Sequence, residues 1–110
     1  MTTPRQTLTA AHRKAKLEAD LEGKFYRMVK GILRGEIVKI APTETGIPDR
    51  LVVLPGARFH LVELKTETGV VSPKQKFVHA KYARLGVHVW VLEGEQAMLD
   101  WVADRQRLNN

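Results

Sequence analysis

Two apolar segments joined by a short turn dominate the middle of the 110-residue sequence. "DRLVVL" ends at Leu54 and "RFHLVELK" begins at Arg58, and the "PGA" between them is typical of the glycine-containing loop of a β-hairpin. The apolar residues are nearly continuous, which indicates a sheet covered on both faces. Yet Asp49 precedes the first strand, and Glu63 and Lys65 end the second. Such charges are costly beside apolar surface unless they are paired, solvated or bound to a metal.

The turn fixes which of these charged residues meet. If residues 55–57 form the loop, paired residues have numbers that sum to about 112, which sets Asp49 opposite Glu63 on one face. Lys65 shares that face because side chains alternate along a strand, whereas Leu64 points the other way, into the core. A slip of one residue would separate Asp49 from the other two side chains. The sequence therefore predicts an acidic pair with a neighbouring lysine, provided that the turn is assigned correctly.

This trio allows two interpretations. Two carboxylates across a hairpin suit Mg²⁺ or Mn²⁺, ions that take one or two carboxylates and keep several waters. A lysine beside them could hold a phosphate or polarise an attacking water, which together with a metal is an arrangement for phosphodiester hydrolysis. The alternative is a purely structural ion cluster at the edge of the sheet.

The rest of the chain predicts three helices and two further strands. Apolar residues recur at helical spacing from Leu8 to about Leu33. "EIVKIA" (36–41) is a short strand, "SPKQKFVHAKYARLG" a helix capped by Ser72 and ended by Gly86, "VHVWVLE" a buried strand and "GEQAMLDWVADRQRL" a final helix. The order α-β-β-β-α-β-α predicts one α/β domain, a mixed sheet flanked by helices. We expect residues 1–16 to be a basic, frayed segment and 17–110 to be the domain. The predicted stripe of the first helix is Leu17, Leu21, Phe25, Met28 and Ile32.

Composition limits the possible functions. The chain has no cysteine, which excludes disulfides, a thiol nucleophile and a thiolate zinc site. A net charge of +6 favours a polyanionic partner, although a basic protein without such a partner is the simpler alternative. No segment is typical of a secretory signal or a membrane span, so we expect a cytoplasmic protein without membrane contact.

The charged trio also matches a known motif. Pro48-Asp49, followed by Glu63-Leu64-Lys65, resembles the P-D…(D/E)-x-K motif of restriction-endonuclease-like nucleases. The wider run "GIPDRLVVLPGARFHLVELK" and "GVVSPKQKFVHAKYARLGVHVWVLEG" resembles a stand-alone VRR-NUC domain of the phage and bacterial type, over about residues 18–105. That family of virus-type replication and repair nucleases includes the nuclease module of the Fanconi-associated nuclease. The resemblance implies a restriction-endonuclease-like core.

The resemblance also implies roles for individual residues. Asp49 and Glu63 would ligate Mg²⁺ or Mn²⁺ together with the backbone carbonyl of Leu64, and Lys65 would be catalytic. The first helix of the family supplies a further acidic residue. Glu22 matches it best, and Glu18, one turn earlier, is a weaker match. Without the family, Glu22 reads as a solvated helix charge.

Other positions keep two readings. In the family a glutamine at the position of Gln75 would contact the metal-bound water or the phosphate, but Ser72 and Gln75 also have the spacing of a capping box. Phosphate contacts are expected from four lysines that could instead be solvated charges: Lys39, Lys74, Lys76 and Lys81. Trp90 and Tyr82 are interpreted as packing residues, because no aromatic cluster accompanies them in the sequence. His60 and His79 are interpreted as surface or hydrogen-bonded histidines.

These observations predict a metal-dependent endonuclease that hydrolyses DNA with little sequence specificity. The resemblance favours four-way junction (Holliday junction) or flap DNA and a role in DNA repair. Because one small domain offers limited surface and a C2 pair matches a nearly two-fold junction, we expect a homodimer held through a terminal helix or the sheet edge. A catalytically silent DNA-binding or scaffold domain of the same fold is the alternative. A phosphatase or nucleotide hydrolase is disfavoured, because the sequence has neither a P-loop nor the signature of a small-molecule pocket.

Overall fold

A computed structural model of the chain describes residues 9–108. Residues 1–8 and 109–110 lie outside the described residues; they hold the first half of the predicted basic segment, the predicted helix start at Leu8 and the last two residues of the predicted domain. Thr9 caps the first helix, because its side-chain hydroxyl accepts a hydrogen bond from the backbone N–H of His12. In chain order the elements are α1 (Ala10–Gly31), β1 (Glu36–Lys39), β2 (Arg50–Leu54), β3 (Arg58–Lys65), α2 (Pro73–Arg84), β4 (Val89–Glu93) and α3 (Gly94–Leu108). The predicted order α-β-β-β-α-β-α is confirmed.

The four strands form one mixed sheet in the order β1-β2-β3-β4. The first three strands are antiparallel, and β4 returns parallel to β3 after the α2 crossover. In the hairpin Arg50 pairs with Val62 and Leu54 with Arg58, which confirms the predicted register. Its loop turns through Gly56 and Ala57, both with positive φ.

The main core lies between the sheet and the pair α1 and α3. On α1 the buried residues are Phe25 and Val29, and Leu33 follows just after the helix. The predicted stripe is wrong at both ends: Leu17 is exposed because residues 10–20 lie beyond the covered part of the helix, and Ile32 is exposed because α1 ends at Gly31. The core cluster consists of Phe25, Val29, Leu33, Val52, Leu54, Val62, Leu92, Met98, Trp101 and Val102.

The second face of the sheet is covered only in part. α2 packs mainly against β4, where Val78 and Val89 are buried. The strand register aligns paired residues of β1, β2 and β3 in two rows, and both rows lie on the same face of the sheet. Val38 is half-exposed and Phe59 is 61% exposed, so this part of the face remains open. We call it the open sheet face; it consists of Val38, Leu51, Val53, Phe59 and Leu61.

An aromatic cluster surrounds Trp90, which corrects the expectation that none accompanies it. The ring centroids of Trp90 and Trp101 are 6.1 Å apart, and those of His60 and Trp101 are 5.4 Å apart. Arg105 covers Trp90 at 4.8 Å from its ring centroid. The sequence could not show this cluster, because β3, β4 and α3 each contribute part of it. Trp90 is partly buried against the core, as predicted for a packing residue.

Within residues 9–108, none of the helices combines the length and the apolar character that crossing a membrane requires.

Candidate active site

One cavity of about 580 Å³ brings the predicted site residues together. It lies between α1, the loop that leads into β2, the end of β3 and the start of α2. Gly46, at φ +93°, lets that loop approach α2 closely: a Cβ there would lie 2.7 Å from the carbonyl oxygen of Lys74. Of the predicted site residues, the cavity wall includes Glu22, Lys39, Asp49, Glu63, Leu64, Lys65 and Gln75.

Asp49 and Glu63 lie close together in the wall of this cavity. They occupy the next position beyond the Arg50–Val62 pair, as the hairpin register predicts. Glu63 is only 3% exposed. The pKa of Glu63 is raised to about 7, mainly by burial and further by the negative charge of Asp49. The ammonium group of Lys65 opposes this shift. The protein's own cations therefore do not fully compensate the ionised form of Glu63.

The chemistry of these carboxylates fits a divalent cation. Asp49 Oδ1 is buried and has no hydrogen-bond partner, and the carboxylate of Glu63 beside it is buried as well. Leu64, whose side chain packs against the core, also lines the cavity. Two carboxylates and a carbonyl are a donor set that Mg²⁺ or Mn²⁺ accepts, with water completing the coordination. No cluster of three or more acidic or histidine side chains with metal-binding geometry occurs within residues 9–108.

Arg50 is a site residue that the sequence interpretation missed. It is 6% exposed, and its guanidinium lies 2.9 Å from Asp49 Oδ2 and 2.7 Å from Glu22 Oε1. Arg50 has the strand parity of the buried Val52 and Leu54. That parity was the available signal, because a charge on a core face requires partners.

Glu22 lies at the cavity but interacts with cations. Besides Arg50, its Oε1 lies 3.7 Å from the ammonium group of Lys39, which is exposed. The structure thus brings Glu22 close to Asp49 through Arg50, and its role as a metal ligand stays a prediction. The weaker candidate, Glu18, also lines the cavity and lies 4.0 Å from the ammonium group of Lys14.

Gln75 forms the predicted capping box. Its backbone N–H donates to Ser72 Oγ at 3.1 Å, and its side-chain Oε1 accepts from the backbone N–H of Ser72 at 2.9 Å. The capping role is confirmed, and the contact with water or phosphate stays a prediction. Three lysines of α2 are exposed and lie outside the cavity wall: Lys74, Lys76 and Lys81.

His79 is neither a surface residue nor a hydrogen-bonded one, contrary to the sequence interpretation. Its Nε2 is buried without a hydrogen-bond partner and lies 3.8 Å from Glu63 Oε1. The pKa of His79 is lowered, mainly by burial and further by the positive charge of Lys65. A neutral imidazole therefore faces Glu63, and the contact is not an ion pair.

The mixed sheet and its flanking helices have the fold of the restriction-endonuclease-like class, as predicted. Within this class the chain has the fold of a VRR_NUC domain: a solved structure with that title superposes with a TM-score of 0.60 and 24% identity, over 84% of this chain and 95% of its own. No protein-family model matches the chain.

A curated phage protein is similar in sequence. "Putative nuclease p44" of Acyrthosiphon pisum secondary endosymbiont phage 1 is 38% identical over 56 residues. The match covers 51% of this chain and spans 60% of the length of that relative.

Proposed function

We propose that this protein is a Mg²⁺- or Mn²⁺-dependent endonuclease that hydrolyses phosphodiester bonds of DNA. The observation that carries the proposal is the carboxylate pair of the partly exposed Asp49 and the buried Glu63, which shares a solvent-accessible cavity with Lys65. A basic chain with the fold of a VRR_NUC domain, similar in sequence to a nuclease-named phage protein, supports DNA as the substrate.

The predicted site residues in the cavity wall have separate roles in this proposal. Asp49, Glu63 and the carbonyl oxygen of Leu64 would hold the ion, whose chemistry would be to acidify a water and to neutralise charge on the phosphate. Lys65 donates to the phosphate or orients the attacking water. Glu22, which pairs with Arg50, supports this metal or a second ion. Gln75 contacts the water or the phosphate through its amide while its backbone stays in the helix cap.

In this proposal four lysines bind the phosphates of DNA: Lys39 in the cavity wall, and Lys74, Lys76 and Lys81 on α2. Contacts of this kind bind phosphates and distinguish bases poorly, so cleavage should depend little on sequence. The preferred substrate in this proposal is a four-way junction or a flap, as in DNA repair. Junctions and duplexes of matched length, compared at one salt concentration, test this preference.

A homodimer fits such a substrate, because a C2 pair presents two identical sites to a nearly two-fold junction. Several apolar residues elsewhere are exposed too, among them Val70, Phe77 and Leu85. The two locations considered for self-association are the open sheet face, which includes Val38 on the edge strand β1, and Leu108 on the terminal helix α3. The two locations make different predictions for single substitutions.

The central experiment measures Mn²⁺ binding by calorimetry and DNA cleavage on the same protein samples. Asp49→Asn keeps the side-chain shape but removes a ligand charge, so both Mn²⁺ affinity and cleavage should fall at least about tenfold. Asp104→Asn, an exposed carboxylate on α3, is the matched control. Unchanged Mn²⁺ binding in Asp49→Asn would refute the metal assignment, and DNA binding without cleavage in the wild type would favour the silent scaffold.

Lys65→Ala separates chemistry from binding. The cleavage rate should fall by about a hundredfold, whereas DNA affinity should fall only slightly, because one phosphate contact among several carries little of the total affinity. Equal losses in rate and affinity would make Lys65 an ordinary backbone contact.

A further inference from the structure

The contact between His79 and Glu63 has no role in the proposed reaction so far. His79 lies on α2, one helical turn after Gln75 and next to the buried Val78. The two side chains are 14% and 4% exposed, and the atoms that face each other, His79 Nε2 and Glu63 Oε1, are both buried without a hydrogen-bond partner. Buried polar atoms in folded proteins are normally paired, and these two lie 3.8 Å apart, beyond hydrogen-bond distance but with each as a possible partner for the other.

The chemistry of the two groups is complementary. An ionised carboxylate only accepts hydrogen bonds, and a neutral imidazole has one N–H to donate. With its proton on Nε2, His79 can donate to Glu63 Oε1 after a small adjustment of either side chain. The capping box fixes the start of α2, so the helix presents the imidazole to β3 from a fixed position.

The other carboxylate of the pair already has this arrangement. Arg50 holds Asp49 Oδ2 at 2.9 Å, whereas Asp49 Oδ1 has no partner. One oxygen is therefore fixed by a neighbouring side chain, and the second remains available to an ion. His79 is the side chain in the corresponding position beside Glu63.

We propose that His79 is a positioning residue whose Nε2–H hydrogen-bonds Glu63 Oε1 and thereby turns the second oxygen of Glu63 toward the metal. This inference rests on the proposed function, because it assumes that Glu63 is a ligand. Outer partners of ligating carboxylates typically contribute a factor of about 10–100 to metal affinity. His79 therefore acts through Glu63 and does not touch the substrate.

Substitutions of similar volume can isolate the hydrogen bond. His79→Leu fills the space without a donor, whereas His79→Gln retains an N–H near the position of Nε2. His60→Leu is the matched control, because it removes another partly buried imidazole, one that packs against Trp101 in the aromatic cluster instead of against Glu63.

The experiment is a calorimetric Mn²⁺ titration of the full chain without DNA, combined with thermal melting in EDTA. We expect His79→Leu to bind Mn²⁺ about 10–100-fold more weakly, and His79→Gln and His60→Leu to bind close to wild type. Wild-type affinity in His79→Leu, or a loss in His79→Gln as large as in His79→Leu, would overturn the inference.

Two further outcomes are also decisive. If the wild type itself binds no Mn²⁺, the proposed function fails and this inference fails with it; if only the His79 variants behave unexpectedly, the inference fails alone. Should His79→Leu not fold, His79→Gln is compared with His79→Asn, whose shorter amide does not reach Glu63. Equal Mn²⁺ affinities of those two variants would then refute the hydrogen bond.

Discussion

At the scale of single residues, the hairpin shows what a sequence can reveal about a site. Asp49 and Glu63 were predicted to be neighbours because strand alternation and one loop suffice to align them. Arg50 was missed because one of its partners, Glu22, comes from α1, and the approach of that helix to the sheet is a tertiary contact. His79 was missed for the same reason, since its distance from Glu63 depends on how α2 packs.

Glu63 predicts how the stability of the metal-free protein depends on pH. Its pKa is raised from 4.5 to about 7. Between these values the folded protein binds more protons than the unfolded chain, so stability falls as the pH rises, and the whole penalty is present above about pH 7. Glu63→Gln cannot ionise at this position, so its free energy of unfolding should exceed that of the wild type by up to about 3 kcal/mol at about pH 8.

Urea denaturation in EDTA at several pH values measures this difference. The advantage of Glu63→Gln should shrink as the pH falls and disappear near pH 4.5, where the unfolded wild type is protonated too. Asp104→Asn controls for the loss of one negative charge from an exposed position. A stability difference that stays constant with pH would show that Glu63 is not destabilised by its ionisation.

Glu22 predicts a second residue-level effect. Glu22→Gln weakens the ion pair with the buried Arg50, and we expect a loss of about 1–2 kcal/mol of stability, because Glu22 itself is partly exposed. If Glu22 also supports the metal, Mn²⁺ affinity should fall at least about tenfold. An unchanged Mn²⁺ affinity combined with reduced stability would leave Glu22 with the single role of pairing Arg50 and Lys39.

At the scale of elements, type and order were predictable, but the buried faces were less so. Periodicity identified α1, yet it placed Leu17 and Ile32 in the core instead of Val29 and Leu33. Helical spacing alone does not show where the covering sheet ends or that the helix stops at Gly31. The start of α2 was predicted more reliably, because the Ser72–Gln75 capping box is a local interaction and needs no tertiary partner.

The capping box at the start of α2 leads to a prediction about the stability of that helix, and its two residues serve as controls for each other. Ser72→Ala and Gln75→Ala each remove one of the two reciprocal hydrogen bonds, so each should cost about 1 kcal/mol, measured by thermal melting. If Gln75 also contacts the water or the phosphate, Gln75→Ala should lower the cleavage rate much more than Ser72→Ala at equal loss of stability. Equal rates in the two variants would restrict Gln75 to capping.

At the scale of the whole molecule, the open sheet face is the feature that the sequence did not predict. Nearly continuous apolar strands indicated coverage of both faces, but α2 covers mainly β4. Apolar residues on β1, β2 and β3 therefore form a partly exposed patch, in which Val38 and Phe59 are the exposed members. Patches of this kind often mark protein interfaces. In a C2 dimer the same patch of both copies would be buried at once.

Two charge-matched substitutions decide between this face and the terminal helix as the dimer contact. Phe59 and Leu108 are both 61% exposed, so replacing either by Arg should cost the monomer little. In a dimer held through the open sheet face, Phe59→Arg sets a desolvated charge in the interface and should give a monomer, whereas Leu108→Arg should stay dimeric. Light scattering at micromolar concentration and constant salt measures this. The reverse pattern would place the contact on α3, and a monomeric wild type would refute the dimer.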